Sequence, residues 1–250
     1  MLDDPLFYAF AIPAVIILGL AKGGFSGLGM LAVPMMALSA SPVQAASITL
    51  PILIVQDIVS VWAFRKTWDR RILLLMVPSA AVGVGAGYAL AAFVSTAAVE
   101  LAVGLVSIAF AMLRLAARDA QPAAGHTPVA GAFWGVVAGF TSQIAHAGAP
   151  PFQIYVLSKR LARDSFIGTS ALFFAIVNWI KVPAYAALGQ FTRENLLTAA
   201  ALMPLAIAST FAGVWLVRRI SVDRFYTMIY ALLLVVGAKL VWDGAAGLWG

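Results

Sequence analysis

The chain has 250 residues, 63% of them hydrophobic and 10% charged, with a mean hydropathy of +0.98. A soluble domain carries roughly 25% charged residues, so this is an all-α polytopic membrane protein; the net charge of +6 belongs to basic loops, not to a nucleic-acid face. With no cysteine and only His126 and His146 as histidines, the chain has no thiol chemistry, no thiolate metal site and too few histidines for a histidine-based metal centre, and no cofactor is expected.

Ten apolar segments follow in chain order: 6–21, 25–38, 43–64, 71–93, 97–114, 129–141, 147–158, 165–189, 195–217 and 225–246. The first, preceded by "MLDDP", has neither a basic leader nor a small-residue cleavage site, and reads as a retained membrane segment, not a signal peptide. Crossing a ~30 Å hydrocarbon core takes ~20 helical residues. The third, fourth, eighth, ninth and tenth segments meet that length, the first and sixth are marginal, and the second and seventh are too short to cross untilted.

Charge sets the orientation. "RKTWDRR" (65–71), "RLAARD" (114–119), "KRLARD" (159–164) and "RRISVDR" (218–224) hold 12 of the 16 lysines and arginines, and all follow odd-numbered segments. These loops are expected in the cytoplasm, with both termini outside, in the periplasm of a bacterial cell. The assignment survives if segments 1–2 and 6–7 are re-entrant hairpins, because two crossings and none leave the chain on the same side. Trp62, Trp68, Trp179, Trp215, Trp242 and Trp249 lie mostly near segment ends, as interface anchors do.

A repeat is visible beneath these segments. "PSAAVGVGAGYALAAFVS" (78–95) aligns without gaps to "PLAIASTFAGVWLVRRIS" (204–221). "ASITLPILIVQDIVS" resembles "SFIGTSALFFAIVNWIK", placing Asp57 opposite Asn178, and "GLAKGGFSGLGMLAVP" faces "GFTSQIAHAGAPPFQI". Five segments per copy is an odd number, so the fold expected is two inverted repeats, 1–120 and 121–250, joined through the polar "RDAQPAAGHTP". Inverted repeats are an architecture of secondary transporters, whose sites lie near the midplane on broken helices.

The breaks are the glycine cluster at Gly23, Gly24, Gly27 and Gly29, and "TSQIAHAGAPPF" with Pro150 and Pro151. A broken backbone in lipid must be buried in protein or line a wet cavity. Each break puts the N-terminus of a short helix at the interruption, an anion site by virtue of free N–H groups and dipole. Lys22 adds a formal charge beside the first; Ser26, Thr141, Ser142 and Gln143 add hydrogen-bonding groups, and His146 and Gly148 lie at the second. The competing readings are close helix packing for the glycines, which we assign to Gly83, Gly87, Gly131, Gly135 and Gly139, and snorkelling for Lys22. Asp57 is the one carboxylate deep in an apolar stretch, costly to keep charged there: either a proton-coupling residue or the partner of Lys22 or Lys181 in a structural ion pair. Gln56, Asn178 and Lys181 are pathway candidates.

At the two breaks, "GGFSGLGMLAVPMMAL" and "SQIAHAGAPPFQIYVL", the sequence resembles the sulfite exporter TauE/SafE (TSUP) family of transporters. The resemblance implies a bacterial inner-membrane carrier for sulfite, sulfonates or related sulfur anions, commonly outward. It points to Gly23, Gly24, Gly27, Gly29 and Pro34, and to His146, Gly148, Pro150 and Pro151; Met30 and Ala149 stand where the family pattern commonly has glycine. A passive anion channel is the main alternative, and an intramembrane enzyme a remote one, with no "HExxH" and no cysteine. The partners expected are a small anion and the bilayer; nothing in the sequence specifies an oligomer.

Overall fold

The computed structural model describes residues 5–24, 28–91, 93, 95–116, 127–217, 219 and 223–249. Among these residues the chain is helical, with no strand: α1 (Pro5–Lys22), a 3-10 turn (Leu28–Leu31), α2 (Ala32–Met36), α3 (Pro42–Phe64), α4 (Arg70–Ala91), α5 (Thr96–Ala116), α6 (Pro128–Ala145), α7 (Ala149–Leu157), α8 (Arg163–Ala187), α9 (Arg193–Val217) and α10 (Asp223–Trp249). Five of these, α1, α3, α4, α8 and α9, are long and apolar enough to cross a membrane by length and composition. The chain is a multi-pass membrane protein, and α1, marginal on its sequence, is long enough at 18 residues.

Local chemistry starts the helices where the sequence places them. Ser41 caps α3 by accepting the Gln44 N–H at 3.2 Å, with Pro42 in the first turn. Thr127 caps α6 in the same way, through Ala130 N–H at 3.3 Å and Pro128. A hydroxyl cap followed by proline satisfies one orphan amide and removes another.

The packing follows an exchange pattern. Helix α1 packs on α9 while α6 packs on α4; α3 lies against α8, and α5 against α10. In the register of the aligned stretches, Gly23 stands opposite Gln143 and Gly213 opposite Gly87. A Cβ on Gly23 would stand 2.3 Å from the Gly213 carbonyl carbon, and one on Gly87 would stand 2.9 Å from Gln143 Cγ. The same helix contact is therefore made twice in one register. At α4–α6, Gly83 and Gly139 let the backbones touch, as their spacing predicts: added Cβ atoms would stand 2.0 Å from the carbonyl oxygens of Val136 and Ala80.

The surface suits lipid. Trp62, Trp179, Trp215, Trp242 and Trp249 are all exposed, and Arg65 and Arg219 lie over the Trp62 and Trp215 rings at 5.2 and 4.6 Å. Lys239 is exposed and pairs with Asp243 one turn on.

Candidate functional site

The first break begins where α1 ends. Its last residue, Lys22, is turned inward, and its carbonyl accepts the Ser60 hydroxyl of α3 at 2.7 Å. Gly24 follows with φ +132°, a conformation that favours glycine, packed against Val217 and Ile167. The chain then returns as a four-residue 3-10 turn and the five-residue α2. Ser26 and Gly27 lie outside the described residues.

The second break is built on a histidine. α6 ends at Ala145, and His146 adopts a left-handed conformation, φ 51°; its N–H bonds Ser142 O at 3.1 Å and the Ala147 N–H bonds Thr141 O at 3.2 Å. The nine-residue α7 starts directly afterwards with Ala149-Pro150-Pro151.

This geometry corrects the expectation that helix N-termini charge the site. α2, at five residues, is too short to carry a useful dipole. In the first turn of α7 two of the four amides that would be free belong to proline and have no hydrogen to donate. Only the Gly148 and Ala149 amides remain at that end, so formal charge in this region is carried by side chains.

Those side chains converge between the breaks. Lys22 pairs with the Asp57 carboxylate through Oδ1, and Asn178 of α8 donates to Asp57 Oδ2 at 2.7 Å. Asp57 is thus held by a group from each half of the chain. One turn along α8, Lys181 is fully buried and faces three acceptors: Ser142 O and Oγ, both at 3.2 Å, and His146 Nδ1 at 2.5 Å. The His146 tautomer follows from its other contact. Nε2 lies 2.9 Å from Ala46 O, which can only accept, so Nε2 carries the proton, Nδ1 accepts from Lys181, and the ring is neutral.

Beside this cluster lies a cavity of about 80 Å³, lined by Lys22, Gly24, Gly29 and Met30 from the first break and by Ser142, His146 and Ala149 from the second. Asn178, Ser170, Phe174, Ile167 and Leu53 complete the wall. A second, larger cavity of about 560 Å³ opens at the basic-loop end, among Arg65, Lys66, Thr67, Arg163 and Asp164. The two share one wall residue, Ile167, and Val217 and Ile167 both press on Gly24 where they meet. The His146–Ala46 bond ties the second break to the first turns of α3.

Of the sequence-selected residues, Lys22, Gly24, Gly29, Ser142, His146 and Asn178 line the cavity, while Asp57 and Lys181 sit directly behind them. Others lie elsewhere. Gly23 faces α9, and Gly148 is packed against α6, where a Cβ would stand 2.6 Å from Ala138 O. Gln143 lies against Gly87 with its amide oxygen unpartnered; Gln56 donates to Ala206 O at 3.3 Å, its own oxygen also unpartnered. Lys22 does not snorkel, being committed to Asp57. The sequence reading missed Ser60, Ile167 and Phe174, whose ring lies 5.8 Å from the Lys22 ammonium. A serine or an isoleucine inside a long apolar run carries no signal of its own. Only the aligned halves could have singled out Ser60.

The arrangement is a small, positively biased chamber between the two breaks. The sulfite exporter TauE/SafE family matches the chain over residues 11–240. The chain belongs to the TauE/SafE family. No curated protein and no solved structure matches it. TauE/SafE proteins are membrane transporters of sulfite and related sulfur anions, not enzymes.

Proposed function

We propose that this TauE/SafE chain is a secondary transporter, working as an exporter, of a small sulfur oxyanion such as sulfite or an organosulfonate. The observation that carries the proposal is the shared cavity: one lysine lines it and a second stands behind it, against a single carboxylate. With His146 neutral, Lys22, Lys181 and Asp57 leave one positive charge to be matched by cargo, since an unmatched buried charge is costly.

The orientation proposed is that of a bacterial inner-membrane protein with the basic loops cytoplasmic and both termini periplasmic. The 560 Å³ basic vestibule is then the cytoplasmic antechamber, consistent with outward transport. The exchanged helix contacts support reading 1–120 and 121–250 as inverted repeats. Asp57 couples protons in this reading: neutralising it frees Lys22 for the anion, so proton and anion bind together.

The test is thermal stabilisation of the purified protein by sulfite, sulfate, sulfoacetate, taurine, acetate and chloride, because a ligand that binds only the folded state raises its melting temperature. Selective stabilisation by a sulfur oxyanion, lost in Lys22→Ala, is expected. Stabilisation that survives in Lys22→Ala would move the site elsewhere.

A further inference from the structure

We infer that Lys181, not Lys22, supplies the net positive charge that makes the chamber select an anion, and that the Ser142 hydroxyl delivers it to the cavity. This rests on the transporter reading above and names the group responsible for its selectivity.

The argument begins with an exchange between the halves. In the aligned register Lys22 stands opposite Ser142, and Ser60 opposite Lys181. In the first half the Ser60 hydroxyl donates to Lys22 O at 2.7 Å; in the second, the Lys181 ammonium donates to Ser142 O at 3.2 Å. The same bond, from the long inner helix to the last turn before the break, is thus made by a serine in one half and a lysine in the other. A hydroxyl suffices to hold the backbone there. The charge on Lys181 is surplus to that structural task.

That surplus is not spent in an ion pair: Asp57, the nearby carboxylate, is bonded to Lys22 and Asn178 instead. Among the described residues, the ion pairs are Lys22–Asp57 and Lys239–Asp243, and neither includes Lys181. Its three acceptors are neutral and suit the three hydrogens of an ammonium. Lys22, by contrast, is already matched by Asp57. Lys181 does not itself line the cavity, but Ser142 and His146 do. The His146 Nε2 hydrogen is occupied by Ala46 O, so this ring has nothing to offer an anion. Ser142 Oγ accepts from Lys181 and keeps its own hydrogen for the cavity, where a donor polarised by an ammonium is stronger than a plain hydroxyl.

The experiment is a charge rescue on the full-length protein in detergent, with sulfite affinity read from the concentration dependence of the melting temperature. Lys181→Ser copies the serine of the other half and removes the charge; affinity should fall at least tenfold, with the ligand-free melting temperature near that of the parent. Adding Asp57→Asn restores one net positive charge by unpairing Lys22 and should return most of the lost affinity, which no structural role for Lys181 would explain. Should Lys181→Ser not fold, Lys181→Gln in the same two backgrounds gives the same reading. Unchanged affinity in the neutral variant, or no recovery in the double variant, overturns the assignment. A parent protein stabilised by none of the anions would instead overturn the transporter reading itself.

Discussion

Asn178 donates to Asp57 at 2.7 Å, and these are the residues that the internal alignment sets opposite one another. The bond joins the central helices of the two halves, α3 and α8, and leaves Asp57 one remaining oxygen for Lys22. In the transporter proposed above, a proton on Asp57 and an anion on Lys22 would assist each other, and linkage makes that assistance reciprocal. Lys181 and His146 are the other polar groups facing this carboxylate region, and the histidine is neutral.

Anion affinity should rise as pH falls in the parent protein. Measured with methanesulfonate, whose own charge is constant over the range, the dependence should vanish in Asp57→Asn, which binds tightly throughout. A pH dependence that persists in the variant would leave Asp57 a structural residue.

Gly23→Ala should destabilise by about 1–3 kcal/mol, the usual range for forcing a methyl into a closed contact, because its Cβ would collide with the α9 backbone. Gly85→Ala on α4, where nothing lies within 4 Å, should be neutral or stabilise by up to about 1 kcal/mol. Melting of the two variants, compared side by side, measures what the closed contact at Gly23 costs; equal melting temperatures would contradict this packing.

Ile167→Ala should open the partition between chamber and vestibule. The chain has no native cysteine, so Ser170→Cys, in the chamber wall, gives a single thiol for a charged, membrane-impermeant reagent. Labelling from the basic-loop side should accelerate severalfold when Ile167→Ala is added. An unchanged rate would place the gate elsewhere.

Cysteines placed at Arg70 and Arg160 should react with such a reagent only from the cytoplasmic side. Periplasmic reaction at either would invert the proposed topology.

Much of this was legible before the fold. The two breaks, the short returning helices and the glycine contacts of Gly83 and Gly139 follow from composition and spacing, because lipid forbids a broken backbone anywhere but inside protein. The electrostatics were not legible in the same way. Pro150 and Pro151 mark the second break, yet those same prolines remove the amides that a dipole argument relies on. Which partner each buried charge takes is settled by contacts 35 and 39 positions apart, Lys22 with Asp57 and Ser142 with Lys181. No local pattern encodes that choice.

The size of the chamber has a consequence for what it admits. A single water needs roughly 10–15 Å³ on this measure of volume, so 80 Å³ corresponds to on the order of six waters. An oxyanion inside must leave most of its hydration shell behind, and the few donors available, chiefly Lys22 and Ser142, have to replace it. Dehydration weighs far more on a doubly charged ion than on a singly charged one, because solvation energy grows with the square of the charge. On the proposed reading, a chamber with one surplus charge would sort by hydration as well as by shape: bisulfite or a monovalent sulfonate should enter at modest cost, while sulfate should stay in the water.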